Sequence, residues 1–582
     1  MDNIMRKPYL AEILGRPKTE RRYVYPREDL IREPIFPYLV LDGGAYLFIS
    51  DHVGEVGSDA LLERAMSGEI FDLLRGEDGE IDWLYSSRVS TDLRLPSNYE
   101  WQSWPQRLYM LLPIAQKYLQ TGERRYADRW LEILRMWIAD APYEPLDSGV
   151  SHVSTSMKWR DMQVSWRTMV LLHSIYMLGS HEGTFSREEW EEIYAFLVLN
   201  LDHLLAEAQM DMSNDHLLNH TLQKGVALVI AGITMPELPR AEEYLRYGKE
   251  TVAACFGANI LPDGGMKEVG PSYNHFISRM YLEAQRSCEI NGDCGIEGLR
   301  DSIVKQYGLL SAISTRHGRS LQLSDSYGLD AHADILRAGE LMGFSPDLGK
   351  KSILMPHNQY AMLRGERSEL AIDAMPFFGG HQHRGRIQPL LWVDGQELLV
   401  DTGCFNYDLF DRYVWCQTAD AHSVVTCDAY QQYLTEYEVA VTEFDAERNI
   451  LVAYQCSRYE GMTYTWTRRV ELLENGARFT DTIDSDREQT FRGRWYLPDR
   501  TTVLEDGEPI PGCIAQLMSC VGLGRTARQC AGRSAVAVRS TEPLTLARTP
   551  GIDSDTRPAQ LAQLTWTRRG RAFTVVTDVV LE

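Results

Sequence analysis

Two periods divide the chain. Up to about residue 350, apolar residues recur at three- and four-residue steps, the spacing of an amphipathic helix. WPQRLYMLLPIAQKYLQTG (104–122), RYADRWLEILRMWIADAP (125–142) and DMQVSWRTMVLLHSIYMLG (161–179) carry the pattern. A further segment, SREEWEEIYAFLVLNLDHLLAEA (186–208), opens with Ser186 and Glu189 at capping-box spacing. Gly or Pro closes most of these segments, as helix stop signals do. Helices joined by short links predict stacked hairpins, either an α/α toroid or a solenoid. After residue 350 the period falls to two. LLWVDGQELLVDTG, HSVVTCDAYQQY, RNILVAYQCSRY, YTWTRRVELLENGARFTDTI and RAFTVVTDVVLE read as strands separated by DG, NG and similar turns. Such a succession predicts an antiparallel β-sandwich. The expected architecture is α+β and multidomain: an N-terminal segment (1–90) packed on a helical domain (91–348), then a β domain (349–582).

Composition narrows the partners. At 582 residues the chain is too long for one core. A net charge of −23 argues against nucleic acid, which needs a basic surface. It also sits badly with an anionic ligand unless cations cluster locally. No run of about 18 apolar residues predicts a membrane span, and the first residues lack a signal-peptide core. The ten cysteines form no CxxC pair and read as reduced thiols. A cytoplasmic location is the resulting expectation.

Three stretches concentrate chemistry. GHQHRGRIQPLLWVDGQELLVDTG (380–403) holds a His-x-His pair. On a strand, His381 and His383 would point the same way, Asp401 would close the next strand, and His422 begins HSVVTCD. Two histidines and a carboxylate suit one divalent ion, zinc before manganese or calcium. Chance surface histidines are the blander alternative. SNDHLLNHTLQKG (213–225) carries Asn214, Asp215, His216, Asn219, His220 and Gln223 where a helix is predicted to begin, with Ser213 or Asn214 as its cap. His216 and His220 would share a face; on composition alone, a cap followed by solvated polar residues is the favoured reading. LPDGGMKEVGPSYNHFISRMYLEA (261–284) places Tyr273 at a helix entrance, for a cleft or simply for packing.

Together these segments resemble the heparinase II/III-like polysaccharide lyases. The N-terminal part, from WQSWPQRLYMLLPIAQKYLQTGERRYADRWLEILRMWI to WRDMQVSWR, is similar to that family's (α/α) toroid. SNDHLLNHTLQ resembles its Asn-Asn-His helix start, and DGGMKEVGPSYNH its Glu-x-x-Pro-x-Tyr-His stretch. The His-x-His segment and RYVWCQTADAHSVVTCD resemble its C-terminal signatures. The resemblance implies β-elimination at a uronic acid of a glycosaminoglycan (hyaluronan, chondroitin or heparan sulfate type), leaving a 4,5-unsaturated sugar. It assigns Asn214 and His216 to the substrate carboxylate, Tyr273 as acid and base, His381 as a second proton handler, and His383, Asp401 and His422 as ligands of a mainly structural ion. Tyr273 and His381 must then meet in a crevice between the two halves.

Candidate sugar contacts are Trp101, Trp104, Trp159, Trp166, Arg167, His220, Arg384 and Tyr407, with Arg386 a further source of local positive charge. The chain departs from the family pattern at Asp215, at Arg384 and Gly385 after the histidine pair, and at Ser423. Alternatives are an alginate or oligoalginate lyase, a toroid glycoside hydrolase using Asp161, Asp215 or Asp263, and a non-catalytic carbohydrate-binding protein. An anionic oligo- or polysaccharide is the expected partner, with no membrane or nucleic acid; a homodimer is compatible.

Overall fold

The computed structural model describes residues 21–32, 58–72, 74–76, 78–84, 100–146, 156–267, 270–326, 328–376, 381–404, 411–429, 436–498, 502–505, 523–531, 534–553 and 558–582. Two compact units result. The first comprises residues 1–260, 276–304 and 341–343; the second comprises 261–275, 305–340 and 344–582. The division thus does not follow the change of period: two helical stretches before residue 350 belong with the strands.

The main helices of the first unit are α1 (Leu111–Thr121), α2 (Arg124–Asp140), α3 (Asp161–Leu178), α4 (Arg187–Ser213), α5 (Asn219–Thr234) and α6 (Ala241–Asn259). Each packs on its sequence neighbour or next neighbour. The predicted capping box closes α4: Glu189 N–H donates to Ser186 Oγ, and Ser186 N–H donates to the Glu189 carboxylate. Close approach of α5 and α6 depends on glycine, since a Cβ at Gly232 would stand 2.6 Å from the Ala241 carbonyl oxygen. The described N-terminal residues belong to this unit: Tyr23 stacks on Tyr176, and the Tyr25 hydroxyl donates to Glu283.

Helices α7 (Pro271–Ile290), α8 (Leu299–Ile313) and α9 (Ala331–Met342) contain the points where the chain passes between units. The second unit is built on two antiparallel sheets. Strands β1 (Ile353–Leu354), β2 (Tyr360–Arg364), β3 (Ser368–Asp373), β4 (Pro389–Val393) and β5 (Gln396–Leu399) form one sheet in sequence order. The other uses β6 (Val425–Cys427), β7 (Glu436–Asp445), β8 (Ile450–Tyr459), β9 (Met462–Leu473), β10 (Gly476–Leu497), β11 (Thr502–Glu505), β12 (Leu523–Ala531), β13 (Ser534–Ile552) and β14 (Pro558–Leu581). Its order is β11-β12-β13-β14-β10-β9-β8-β7, with β6 paired to β10.

One core joins the two sheets. Leu363, Leu370, Ile372 and Leu391 of the first cluster with Trp466, Phe479, Phe491, Trp495 and Trp566 of the second. Strict alternation of buried and partly exposed residues along β9 matches its sequence period. A buried ion pair joins neighbouring strands β9 and β10: Arg468 Nε and Nη2 donate to Asp481 at 2.8 and 3.0 Å. Arg468 Nη1 also donates to the Ser423 carbonyl at 2.7 Å, so the sheet grips the segment that carries His422.

Two local expectations are corrected. His381 and His383 lie in a loop ahead of β4, not on a strand. The helix predicted to start at 213 or 214 starts at Asn219; Asn214 instead ends α4, and Asp215 has a left-handed φ of 58°.

Candidate active site

Within the second unit, the His-x-His loop folds onto the segment LQLSDS (321–326). Tyr273, the third residue of α7, stacks its ring on that of His381 with centroids 3.8 Å apart and planes 20° apart. The two meet inside one compact unit rather than between halves. Asp325 holds both histidines. Its Oδ2 faces His381 Nδ1 at 2.8 Å, and its Oδ1 faces His383 Nε2 at 2.7 Å. Arg412 donates to Asp325 Oδ2 and lies 3.2 Å from His381 Nδ1. Burial alone would raise the Asp325 carboxyl, but Arg412 first and then the two imidazoles hold it well below the usual range.

An ionised carboxylate only accepts, so His383 Nε2 carries hydrogen; at His381 Nδ1 the carboxylate at 2.8 Å calls for a proton and outweighs Arg412 Nη2, which can only donate, at 3.2 Å. That places the lone pair of the His381 ring on Nε2 and that of the His383 ring on Nδ1. The His381 side chain keeps 15 % of its surface exposed, whereas that of His383 keeps none. One ring is thus offered outward and the other inward.

The inward ring meets Asp401 and His422, and one ligand atom from each of the three lies within 4.8 Å of the others. His422 Nε2 donates to the Cys416 carbonyl at 3.0 Å, which turns Nδ1 toward Asp401 Oδ1 at 2.7 Å. A lone pair facing a carboxylate at that distance requires a proton or a cation between them. His383 Nδ1 is itself buried without a hydrogen-bond partner. Burial lowers the His383 pKa, favouring the neutral ligand form. Asp401 is also held below the usual range: burial opposes its ionisation, and His422 more than compensates. Two imidazoles, a carboxylate and outer hydrogen bonds from each ring to Asp325 or a carbonyl fit a divalent ion. Gly385 explains one departure from the family pattern, because a Cβ there would stand 2.4 Å from His422 Cγ. Ser423 is explained too: its Oγ accepts from Tyr496 N–H at 3.1 Å.

In the first unit, Asn214, Asp215 and His216 form an exposed loop between α4 and α5. The loop hangs on Asp211, whose carbonyl accepts the N–H groups of Asn214 and His216 at 3.2 and 3.0 Å. Lys224, buried on α5, holds Asp211 at 2.6 Å, Asp161 at 2.8 Å and Glu207 at 3.8 Å. Asp161 also binds His220 Nδ1, so His220 is exposed but tethered.

Comparison with known proteins places the chain in a family. Residues 44–296 match the Heparinase II/III N-terminus and residues 347–575 the heparinase II/III-like C-terminal domain. The chain belongs to the heparinase II/III-like family. A heparin-sulfate lyase of Bacteroides thetaiotaomicron is 26% identical over 216 residues, which span 37% of this chain and 28% of that protein. A crystal structure of heparinase III superposes with a TM-score of 0.71 at 15% identity, covering 98% of this chain and 88% of that one. Heparan sulfate lyase HepC from Pedobacter heparinus gives 0.57 at 14%, covering 96% and 93%. The fold of this heparinase II/III-like chain is therefore the expected one, an N-terminal (α/α) toroid followed by an antiparallel β-sandwich.

Against that fold, several expected sugar contacts are corrected. Trp104, Trp159, Trp166 and Arg167 are buried. Trp166 stacks on Phe276. Arg167 sits over the rings of Trp137 and Trp159 and bonds Asn200 Oδ1 and two carbonyls. None of these four can touch a polymer without unpacking the helices. Arg386 is likewise buried against Asp373. Arg384 is half-buried beside His383. The side chain of Trp101 and all of Tyr407 lie outside the described residues. Of the carboxylates considered for hydrolysis, Asp161 pairs with Lys224 and Asp263 accepts the N–H groups of His357 and Asn358, while Asp215 lies in the exposed loop after α4. Asp325, Arg412 and Lys224 were not anticipated from the sequence.

Proposed function

We propose that this protein is a polysaccharide lyase that cleaves uronic-acid-containing glycosaminoglycans or their oligosaccharides by β-elimination. The observation that carries the reading is the stacked Tyr273–His381 pair, with His381 Nδ1 hydrogen-bonded to Asp325, which puts the basic lone pair of the ring on Nε2. Elimination needs the C5 proton removed and the leaving O4 protonated. A phenol and an imidazole side by side can divide those tasks. Asn214 and His216 keep the role that the family resemblance gives them, holding the substrate carboxylate as charge spreads onto it. His220 is retained as a sugar contact because it is exposed.

His383, Asp401 and His422 would hold the ion, zinc by the preference of a mixed nitrogen–oxygen set. When bound, it supplies positive charge that anchors the loop bearing His381. The names of the relatives favour heparan-type polymers over alginate, and the hydrolase alternative is weakened because two of its three candidate carboxylates, Asp161 and Asp263, are engaged elsewhere.

The test is incubation with heparan sulfate, chondroitin, hyaluronan and alginate while following the ultraviolet absorbance of the unsaturated product. A rise on one of the glycosaminoglycans supports the reading. A rise on alginate alone moves it to the alginate lyases. No rise on any, together with consumption of prepared unsaturated oligosaccharides, replaces it with a hydrolase.

A further inference from the structure

Three consecutive residues, Ser324, Asp325 and Ser326, tie together the groups that the proposed chemistry draws from the second unit. Ser324 adopts a left-handed φ of 62°, a strained conformation for a residue with a side chain. Its Oγ accepts from the backbone N–H of His383 at 3.3 Å and from Arg386 Nη2 at 3.1 Å. Asp325 N–H donates to the His381 carbonyl at 3.1 Å, while its two carboxylate oxygens take the rings of His381 and His383. Ser326 Oγ accepts from the N–H of Ser272 at 3.2 Å, in the first turn of the helix that carries Tyr273. The carboxylate is fully buried.

We propose that Asp325 is a positioning residue whose single carboxylate sets the tautomers of two imidazoles at once, His381 with its proton on Nδ1 and His383 with its proton on Nε2. The inference rests on the reading of His381 as proton handler. Imidazole tautomer is decided by what the other nitrogen bonds. A carboxylate offers acceptor oxygens on both sides and satisfies both rings. The isosteric amide of Asp325→Asn offers one oxygen and one NH2 group. One ring must then present a lone pair to the NH2 group and move its proton to the opposite nitrogen. Either the outward ring loses the base at Nε2 or the inward ring loses the ligand atom at Nδ1.

The experiment is long-range proton–nitrogen NMR on the full chain with 15N-labelled histidine, at a pH where the rings are neutral. His381→Gln assigns the His381 signals. The expected wild-type result is His381 as the Nδ1–H tautomer. In Asp325→Asn, either His381 changes tautomer, or metal affinity falls roughly 10- to 100-fold; kcat falls by a similar factor with KM little changed. Ser326→Ala, which disturbs the same loop but keeps the carboxylate, should leave the tautomer as it is. The proposal is overturned if wild-type His381 carries its proton on Nε2. It is also overturned if Asp325→Asn changes neither tautomer nor metal affinity, or if Ser326→Ala shifts the tautomer as far. The wild-type spectrum decides even where the Asn variant does not fold. The tautomer is read without turnover. An Nδ1–H result in a wild-type chain inactive on all uronate polymers would therefore sink the lyase reading and leave the Asp325 inference standing.

Discussion

The two units carry buried ionic clusters of opposite sign pattern. In the first, one cation, Lys224, is surrounded by Asp161, Glu207 and Asp211. In the second, one carboxylate, Asp325, is surrounded by Arg412, His381 and His383. Both are shielded from solvent, but they do different work. The lysine cluster is held by charge, and what it fixes is backbone: the Asn214–His216 loop hung from Asp211. The carboxylate cluster is held by directional hydrogen bonds to ring nitrogens, and what it fixes is where protons sit. A buried cation among acids builds scaffold, while a buried acid among imidazoles sets chemistry.

Lys224→Met tests the first half most forcefully. It leaves three buried carboxylates short of a cation, which typically costs about 3–5 kcal/mol. A large drop in melting temperature is expected, whereas Asp325→Asn should spare melting more than turnover. If Lys224→Met melts within a degree of wild type, the scaffold role is lost.

Metal removal comes next. Chelation should lower the melting temperature by ~5 °C or more together with activity, because an ion held by His383, Asp401 and His422 would stabilise the folded state that binds it. Lost activity with unchanged melting would instead assign the ion a direct part in the chemistry. Gly385→Ala drives a Cβ against the His422 ring. It should cost about 1–3 kcal/mol by overpacking and weaken metal binding, measured by competition with a chelator; wild-type affinity would remove Gly385 from the account.

The smallest effect concerns an acid whose charge is less well matched. Glu283 is pushed up to about 7, first by burial, with the Tyr25 hydrogen bond and Arg279 compensating only in part. The folded chain therefore keeps a proton that the unfolded chain releases between its ordinary value of 4.5 and about 7. Stability from this group is fully present below the lower value and is lost as pH rises through the upper one. Glu283→Gln should flatten that slope, gaining on the order of 1–3 kcal/mol relative to wild type at pH 8. Parallel melting curves from pH 5 to 8 for the two proteins would contradict it.

The change of period was legible and located the helices and strands, because burial on one face leaves that trace in any sequence. Tyr273 and the histidines were legible because polar residues interrupted apolar runs where an element began. Arg167 and Trp166 misled for a physical reason. The α3 helix is buried on nearly every side, its polar residues included, so an arginine there packs between rings rather than facing a ligand. Asp325 is one of 82 acidic residues, in the short apolar stretch LQLSDSY. Its only sequence signal was an acid flanked by serines where a strand-like run stops, and its partners lie more than 50 residues away. Such long-range pairing leaves no local periodicity to read.

The central claim is that Tyr273 and His381 serve one cleavage step. It is tested most directly by Tyr273→Phe, assayed for turnover and, separately, for equilibrium binding of a glycosaminoglycan oligosaccharide. The ring and its stacking on His381 remain and only the hydroxyl is lost. Turnover is expected to fall by roughly 10²–10⁴-fold with affinity within a few-fold of wild type. A variant that keeps a tenth or more of the wild-type rate would contradict the account.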